Sequence, residues 1–262
     1  MVNGIFYPES PRIMASKLAF WGLKPGFEAS GGQTILAPHG AWDLTGSIAA
    51  RAFSAIQKKN ENPVVKRVLL LGTYHNSNDE GIYLSESAFF APRLRVDQKM
   101  NRNLASCSTS IRVNDIPHLS EHSLEVLLPL VKYCFSEVKI VPILMSGRRP
   151  ALISSLANAL RICLEECMGE TIVVISSTVS QNPDPAAALS MANEFRSILE
   201  TMDTQAYMSS LAAGRISACG GALLGALLES GLLGNNHFYS LCSMSQSIED
   251  GGETVYHGAF GA

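Results

Sequence analysis

In Arg67-Val-Leu-Leu-Leu71 one arginine opens an apolar run that breaks at Gly72 and leads into Thr73-Tyr-His75-Asn76. Five residues with no polar alternation read as a strand buried on both faces, the pattern of a parallel sheet covered by helices. The same arrangement occurs at Thr34-Ile-Leu-Ala37, which ends in Pro38-His39-Gly40. It occurs again at Thr171-Ile-Val-Val-Ile-Ser176, which runs into Ser177-Thr-Val-Ser-Gln181. Helical periodicity separates these strands, over Thr45 to Lys58 and Pro150 to Met168. Alternating β and α segments predict an α/β domain with a mainly parallel central sheet flanked by helices. In such sheets ligands bind beyond the carboxyl ends of the strands, which draws attention to His39, His75 and the Ser/Thr cluster after Ser176.

Working outward, helices are expected over Pro11–Leu23, Asp97–Ser106, Glu121–Tyr133, Pro185–Thr201, Thr204–Ala213 and Ala222–Leu233. Further strands are expected at residues 81–85, at Lys139–Leu144, and at His237–Ser243 and Thr254–Ala259, the last two joined by a turn at 249–252. Residues 26–32 read as a loop. Repeats, low-complexity tracts and linkers are not found, so residues 1–262 read as one domain.

Hydrophobic residues make up 47% of the 262, charged residues 16%, and the formal net charge is −3. That apolar content is ample for a core and excludes disorder. Twenty basic residues against 23 acidic ones leave no electrostatic excess for a generic nucleic-acid surface. Apolar runs fall short of the ~20 residues a bilayer span needs. Residues 1–10 lack a basic segment followed by an apolar one, so a secretory signal is not expected. Six scattered cysteines without a CxxC pair point to a reducing, cytoplasmic setting. Cys163 and Cys167 share a helical face and read as small buried hydrophobes.

His39 and His75 are the sharpest pair, because two neutral imidazoles from neighbouring strand ends suit a first-row transition metal. The alternative is two structural histidines bonding loop carbonyls. Pro117-His-Leu-Ser-Glu-His-Ser-Leu-Glu125 is the second constellation. With Ser120 as its cap, a helix would carry His122 in its first turn, where the dipole disfavours the cation and a neutral imidazole can act as general base. The plainer reading is a capped helix with solvent-facing His and Glu. Cys219-Gly220-Gly221 opens an Ala/Leu-rich helix; a thiol there can be activated, but close helix packing is the favoured reading. Tyr7, Trp42 and Tyr74 lie beside these loops and either line a pocket or edge the core.

Taken in order, a set of short stretches resembles the MEMO family, known in prokaryotes as AmmeMemoRadiSam system protein B. They are Gly4-Ile-Phe-Tyr-Pro8, Ala37-Pro-His-Gly40, Gly46-Ser-Ile-Ala-Ala50, Leu71-Gly-Thr-Tyr-His75, Asp97, Glu121-His-Ser-Leu-Glu125, Val141-Pro-Ile-Leu144, Val174-Ile-Ser-Ser177 and Cys219-Gly220. The resemblance implies a fold similar to class III extradiol dioxygenases, non-haem iron enzymes that open catechol rings. It implies one transition-metal ion, iron or copper, on His39 and His75, with His122 in the pocket.

The departures from the family pattern bear on chemistry. Where members read Ser-Ser-Asp-x-x-His, this chain has Thr178 in place of the carboxylate and Gln181 in place of the imidazole. Where animal-type members place a metal-binding cysteine, it has Ser247, with Cys242 five residues earlier as the remaining thiol candidate. A facial iron site needs two histidines and an anion, and neutral replacements offset the dication poorly. The expected protein is therefore MEMO-like with a reduced pocket and weak or absent metal. Two other readings are a non-catalytic module binding a peptide or small ligand, with Arg93, Arg95 and Arg102 as phosphate candidates, and an extradiol-type oxidoreductase. The family name further implies radical SAM or AMMECR1-like partners.

Overall fold

The computed structural model describes residues 2–26, 33–56, 65–76, 79–90, 94–135, 137–234, 236–248 and 251–262. Parts of the expected 26–32 loop, of the helix end at 57–58 and of the 249–252 turn, together with Arg93, lie outside these residues.

Four parallel strands form the centre of a ten-stranded sheet, in the order Thr34–Ala37, Thr171–Ser176, Arg67–Thr73, Lys139–Ser146. Antiparallel neighbours extend it on both sides: Phe260–Gly261 beside the first strand and Gly81–Leu84 beside the last. The sheet is thus mixed but mainly parallel at its core, as the α/β alternation predicts. Side chains of the central strands alternate between two apolar layers. Leu69 and Leu71 join the layer under helices Pro150–Leu164, Pro185–Thr201 and Gly221–Ser230. Val68 and Leu70 join the opposite layer under Pro11–Phe20, Trp42–Ala55 and Leu128–Cys134. Each of these side chains is fully buried, which stabilises by about 1.5–3 kcal/mol apiece.

Three local differences from the sequence expectation have physical causes. The helix expected over Glu121–Tyr133 begins only at a 3₁₀ turn, Glu125–Leu127, followed by Leu128–Cys134. A short helix, Ile116–Ser120, ends where the longer one was to start. Residues 121–124 are irregular because the Glu121 carboxylate accepts from the backbone N–H groups of His122 and Ser123, which replaces helical pairing. The long helix after Pro150 likewise stops at Leu164 and tightens into a 3₁₀ turn through Glu170. Finally, Ser180–Asn182 and Ser245–Ile248 are strands. They pair on either side of Thr254–His257 in a small antiparallel sheet. Their polar sequences carry no hydrophobic period to announce them.

Gly72 marks the close approach that brings the 121–124 loop onto the sheet. A Cβ there would lie 2.5 Å from Leu124 Cδ2 and 2.7 Å from Ser123 Oγ. Among the described residues, no helix is long and apolar enough to cross a membrane.

Candidate metal centre

The strands ending at Ala37, Ser176 and Thr73 lie side by side, so their following loops open into one hollow. His39 leaves the first and His75 the third, and the 121–124 loop adds His122 from above. The ring centroids form a nearly equilateral triangle: 5.4 Å from His39 to His75, and 5.5 Å from His122 to each. One nitrogen from each ring lies within 4.8 Å of the others, a grouping that could hold a metal ion.

Hydrogen bonds orient the rings. Ser176 Oγ donates to the Ser123 carbonyl at 2.5 Å, which commits its proton. Its lone pair is then left to accept from His39 Nδ1 at 2.8 Å. His39 therefore carries a proton on Nδ1 and turns its Nε2 toward Cys219 in the hollow. Glu121 performs the corresponding task for His75. Its carboxylate accepts the His75 backbone N–H at 2.6 Å and lies 3.0 Å from His75 Nδ1. The same carboxylate lies 3.2 Å from His122 Nδ1. A carboxylate holding the outer nitrogen fixes both tautomer and ring direction.

The charges follow from these contacts. Burial favours a neutral Glu121, but the bonds from His75 and the backbone overcome it and hold its carboxyl down at about 2. Burial also opposes a charge on His75, yet Cys219 and Glu121 raise its imidazole to about 10. His122, buried and beside His39, is pushed down to about 4.

Cys219 stands at this cluster. Its Sγ lies 3.9 Å from His39 Nε2 and accepts the Thr178 backbone N–H at 3.2 Å. Burial pushes the thiol up, but His39 and His75 lower it well below its ordinary value. The packing role expected for this cysteine is therefore replaced by a polar one. Cys242, the thiol suggested by the sequence, packs half-buried against the apolar layer that holds Val68 and Leu70, and it is absent from the cavity lining. Ser247 bonds His257 Nε2 at 2.8 Å. His257, which the sequence reading passed over, is buried to 2% and lines the cavity. Its only signal was a histidine in the strand Thr254–His257, whose neighbours become clear only once the small sheet is paired.

The cavity over the cluster has a volume of about 490 Å³. Thr178, Gln181, Cys219 and His257 supply its polar wall, and Phe6, Leu44 and Ile248 its apolar rim. Tyr7 instead donates to Glu125 and stacks toward Trp42, while Tyr74 packs edge-on to Tyr83. His118 points away and meets Phe90. Arg95 and Arg102 are exposed and do not line the cavity.

The donor set fits a transition metal. With metal–nitrogen bonds of ~2.0–2.1 Å, three imidazoles on one tetrahedral ion have ring centroids about 5.2 Å apart. The spacing here is within a few tenths of an ångström of that. Neutral imidazoles suit iron, copper or zinc over magnesium or calcium.

A sequence profile described as Memo-like protein matches residues 1–251. The chain is 28% identical over 250 residues to a MEMO1 family protein of Desulfurococcus amylolyticus, which covers 87% of this chain and 85% of the relative. It is 25% identical over 232 residues to another from Nitrosopumilus maritimus, with 86% and 82% covered. The crystal structure of an uncharacterized protein from Escherichia coli K12 superposes with a TM-score of 0.54 at 14% identity, covering 87% of this chain and 98% of that one. That last likeness concerns the fold alone.

Proposed function

This chain belongs to the Memo-like family, and we propose that it binds one transition-metal ion through His39, His75 and His122 and presents a small ligand to it from the cavity above. The observation that carries this reading is the triangle of imidazole centroids at 5.4–5.5 Å, with Ser176 and Glu121 holding the outer nitrogens of His39 and His75. When bound, the metal supplies Lewis-acid polarisation of a ligand oxygen.

The chain's own residues do the remainder. Glu121 and Ser176 hold the imidazoles in register. Thr178 and Gln181 offer hydrogen bonds to the ligand from the facing wall. Phe6, Leu44 and Ile248 exclude water around its apolar part. The pocket is reduced relative to a full extradiol site, because Thr178 and Gln181 stand where the family pattern has a carboxylate and an imidazole. For that reason we favour binding, with slow or no turnover, over ring-opening catalysis. The six free cysteines support a reducing, cytoplasmic setting. By family resemblance, a radical SAM protein or an AMMECR1-like domain is the partner we propose.

Metal analysis of purified protein, with titration of Fe(II), Co(II) and Cu(II), tests the reading. One ion per chain is expected, with His39→Ala/His75→Ala losing it. Equal metal content and thermal stability in the double variant would overturn it.

A further inference from the structure

Cys107 and Cys163 bring their sulfurs into contact. The two Sγ atoms lie 3.7 Å apart, although the residues are 56 positions apart in the chain. Cys107 follows the last residue of helix Gln98–Ser106, and Cys163 lies in the last turn of helix Pro150–Leu164. Both pack half-buried against the apolar layer that holds Leu69 and Leu71. A disulfide needs a sulfur separation of ~2.05 Å, so the sulfurs must close by about 1.7 Å. Rotation of a cysteine side chain between staggered positions sweeps its sulfur over that distance.

The remaining thiols leave this pair to itself. Cys167 sits in the 3₁₀ turn that continues the helix, and its thiol donates to the Cys163 carbonyl at 3.6 Å. A bridge from Cys163 to Cys167 would close a loop too short to gain much. Cys134 and Cys242 pack in the opposite apolar layer, and Cys219 lines the cavity. Neither Cys107 nor Cys163 lines that cavity, so a bond between them leaves the donor set of the histidine cluster unchanged. Burial and the neighbouring Cys107 and Cys167 thiols push Cys163 up to about 12. A thiol so held is a poor first nucleophile, and the first attack falls to Cys107.

From this contact we propose that Cys107 and Cys163 form a redox-modification site, which a small-molecule disulfide of the glutathione type converts into an intramolecular bridge. The Cys107 thiolate attacks the small disulfide, forms a mixed disulfide and expels one small thiolate. The Cys163 thiolate then attacks the Cys107 sulfur, forms the bridge and expels the second. Two protein thiols are oxidised, one small disulfide is reduced to two thiols, and the cysteine protons pass to the leaving thiolates. The bridge closes a segment that carries Glu121, His122 and the strand Lys139–Ser146. Constraining so long a loop in the unfolded chain stabilises the fold that shapes the pocket. This chemistry requires no metal, so it stands apart from the metal-binding reading.

Incubation of the purified full chain across a series of reduced-to-oxidised glutathione ratios tests it. Two of the six free thiols should be lost to the bridge. Digestion at glutamate separates Cys163 from Cys167, because Glu165 and Glu166 lie between them. Mass spectrometry should then show the Cys107 and Cys163 peptides joined. The bridged form should melt roughly 5–15 °C higher and return to the starting Tm with dithiothreitol. Cys107→Ser and Cys163→Ser should each abolish the bridge and the shift, while Cys167→Ser keeps both. If Cys107→Ser fails to fold by circular dichroism, Cys107→Ala replaces it. A bridge from Cys163 to Cys167, a glutathione adduct that stays on Cys107, or a fully reduced pair at every ratio overturns the proposal. So does a bridged form no more stable than the reduced one.

Discussion

Nδ1 of His75 lies 3.0 Å from Oε1 of Glu121, while the backbone N–H of the same histidine donates to Oε2 at 2.6 Å. One carboxylate thus fixes both the main chain and the ring of a proposed metal ligand. It is also the hub about which residues 121–124 turn.

Glu121→Gln should separate these roles from simple bulk. The amide keeps the size but turns two N–H donors toward groups that themselves donate. Hydrogen bonds to a buried charge are worth about 1.5–3 kcal/mol each, and breaking such a cluster exceeds a single bond. A loss of about 2–4 kcal/mol in urea unfolding is expected. Metal affinity should fall ~10–100-fold, as it does when a group behind a ligating histidine is removed. Stability and affinity both within error of wild type would show that the carboxylate does not orient the rings.

Much of this was legible beforehand, for reasons visible in particular residues. Thr34–Ala37 and Thr171–Ser176 are strands over the residues expected, because runs buried on both faces need no tertiary information to recognise. The strand-end rule then led to His39 and His75. Glu121–Tyr133 misled because its apolar spacing is helical from Leu124 onward. What stops the helix is a buried carboxylate whose partners include His75, 46 positions away. Cys219 was read as packing because its chemistry depends on Thr73 and Thr178, distant in sequence and adjacent only once the sheet is assembled. His257 was missed for the same reason. It comes to the cavity on a small sheet with two polar strands, which no periodicity reveals.

Ser176→Ala tests the tautomer of His39. The serine passes one hydrogen bond to Ser123 and accepts another from the ring. Its removal leaves a buried N–H without an acceptor, at about 1–3 kcal/mol. Long-range proton–nitrogen spectra should show the Nδ1–H form of His39 in the wild type and a mixture in the variant. Metal affinity should drop by about tenfold. A wild type protonated on Nε2 instead would mean that His39 turns the wrong nitrogen to the cavity.

Acid should destabilise this fold before its carboxylates titrate. Burial pushes His118 and His257 down to about 4, whereas an unfolded histidine titrates near ~6.5. Between those values the unfolded chain binds protons that the folded one refuses, so the stability these two groups contribute is full above about 6.5 and declines as pH falls toward 4. Each group contributes up to about 3 kcal/mol across that window, less where solvent reaches it. His118 sits edge-on to Phe90 with both ring nitrogens buried, so His118→Phe should preserve the packing. Urea midpoints at pH 7 and pH 5 should converge in that variant relative to wild type. An unchanged pH dependence would place the acid sensitivity elsewhere.

Gly220→Ala probes how tightly Cys219 is held. A Cβ at Gly220 would come 2.8 Å from Ser177 Cβ and 2.9 Å from the Ser176 carbonyl oxygen. The carbonyl is sheet backbone and cannot yield, so the loop carrying Cys219 must shift. Overpacking of this kind costs about 1–3 kcal/mol. Gly231→Ala, at the other end of the same helix, is the matched control. Its φ of +74° is strained for alanine, yet the added Cβ meets nothing within 4 Å. It should lose about 1 kcal/mol through the backbone alone. Both variants are therefore destabilised, but only Gly220→Ala should change the rate at which iodoacetamide alkylates Cys219, followed by peptide mass spectrometry. Equal alkylation rates in the two variants would mean that the thiol finds its place without the close approach of Gly220 to the Ser176 strand.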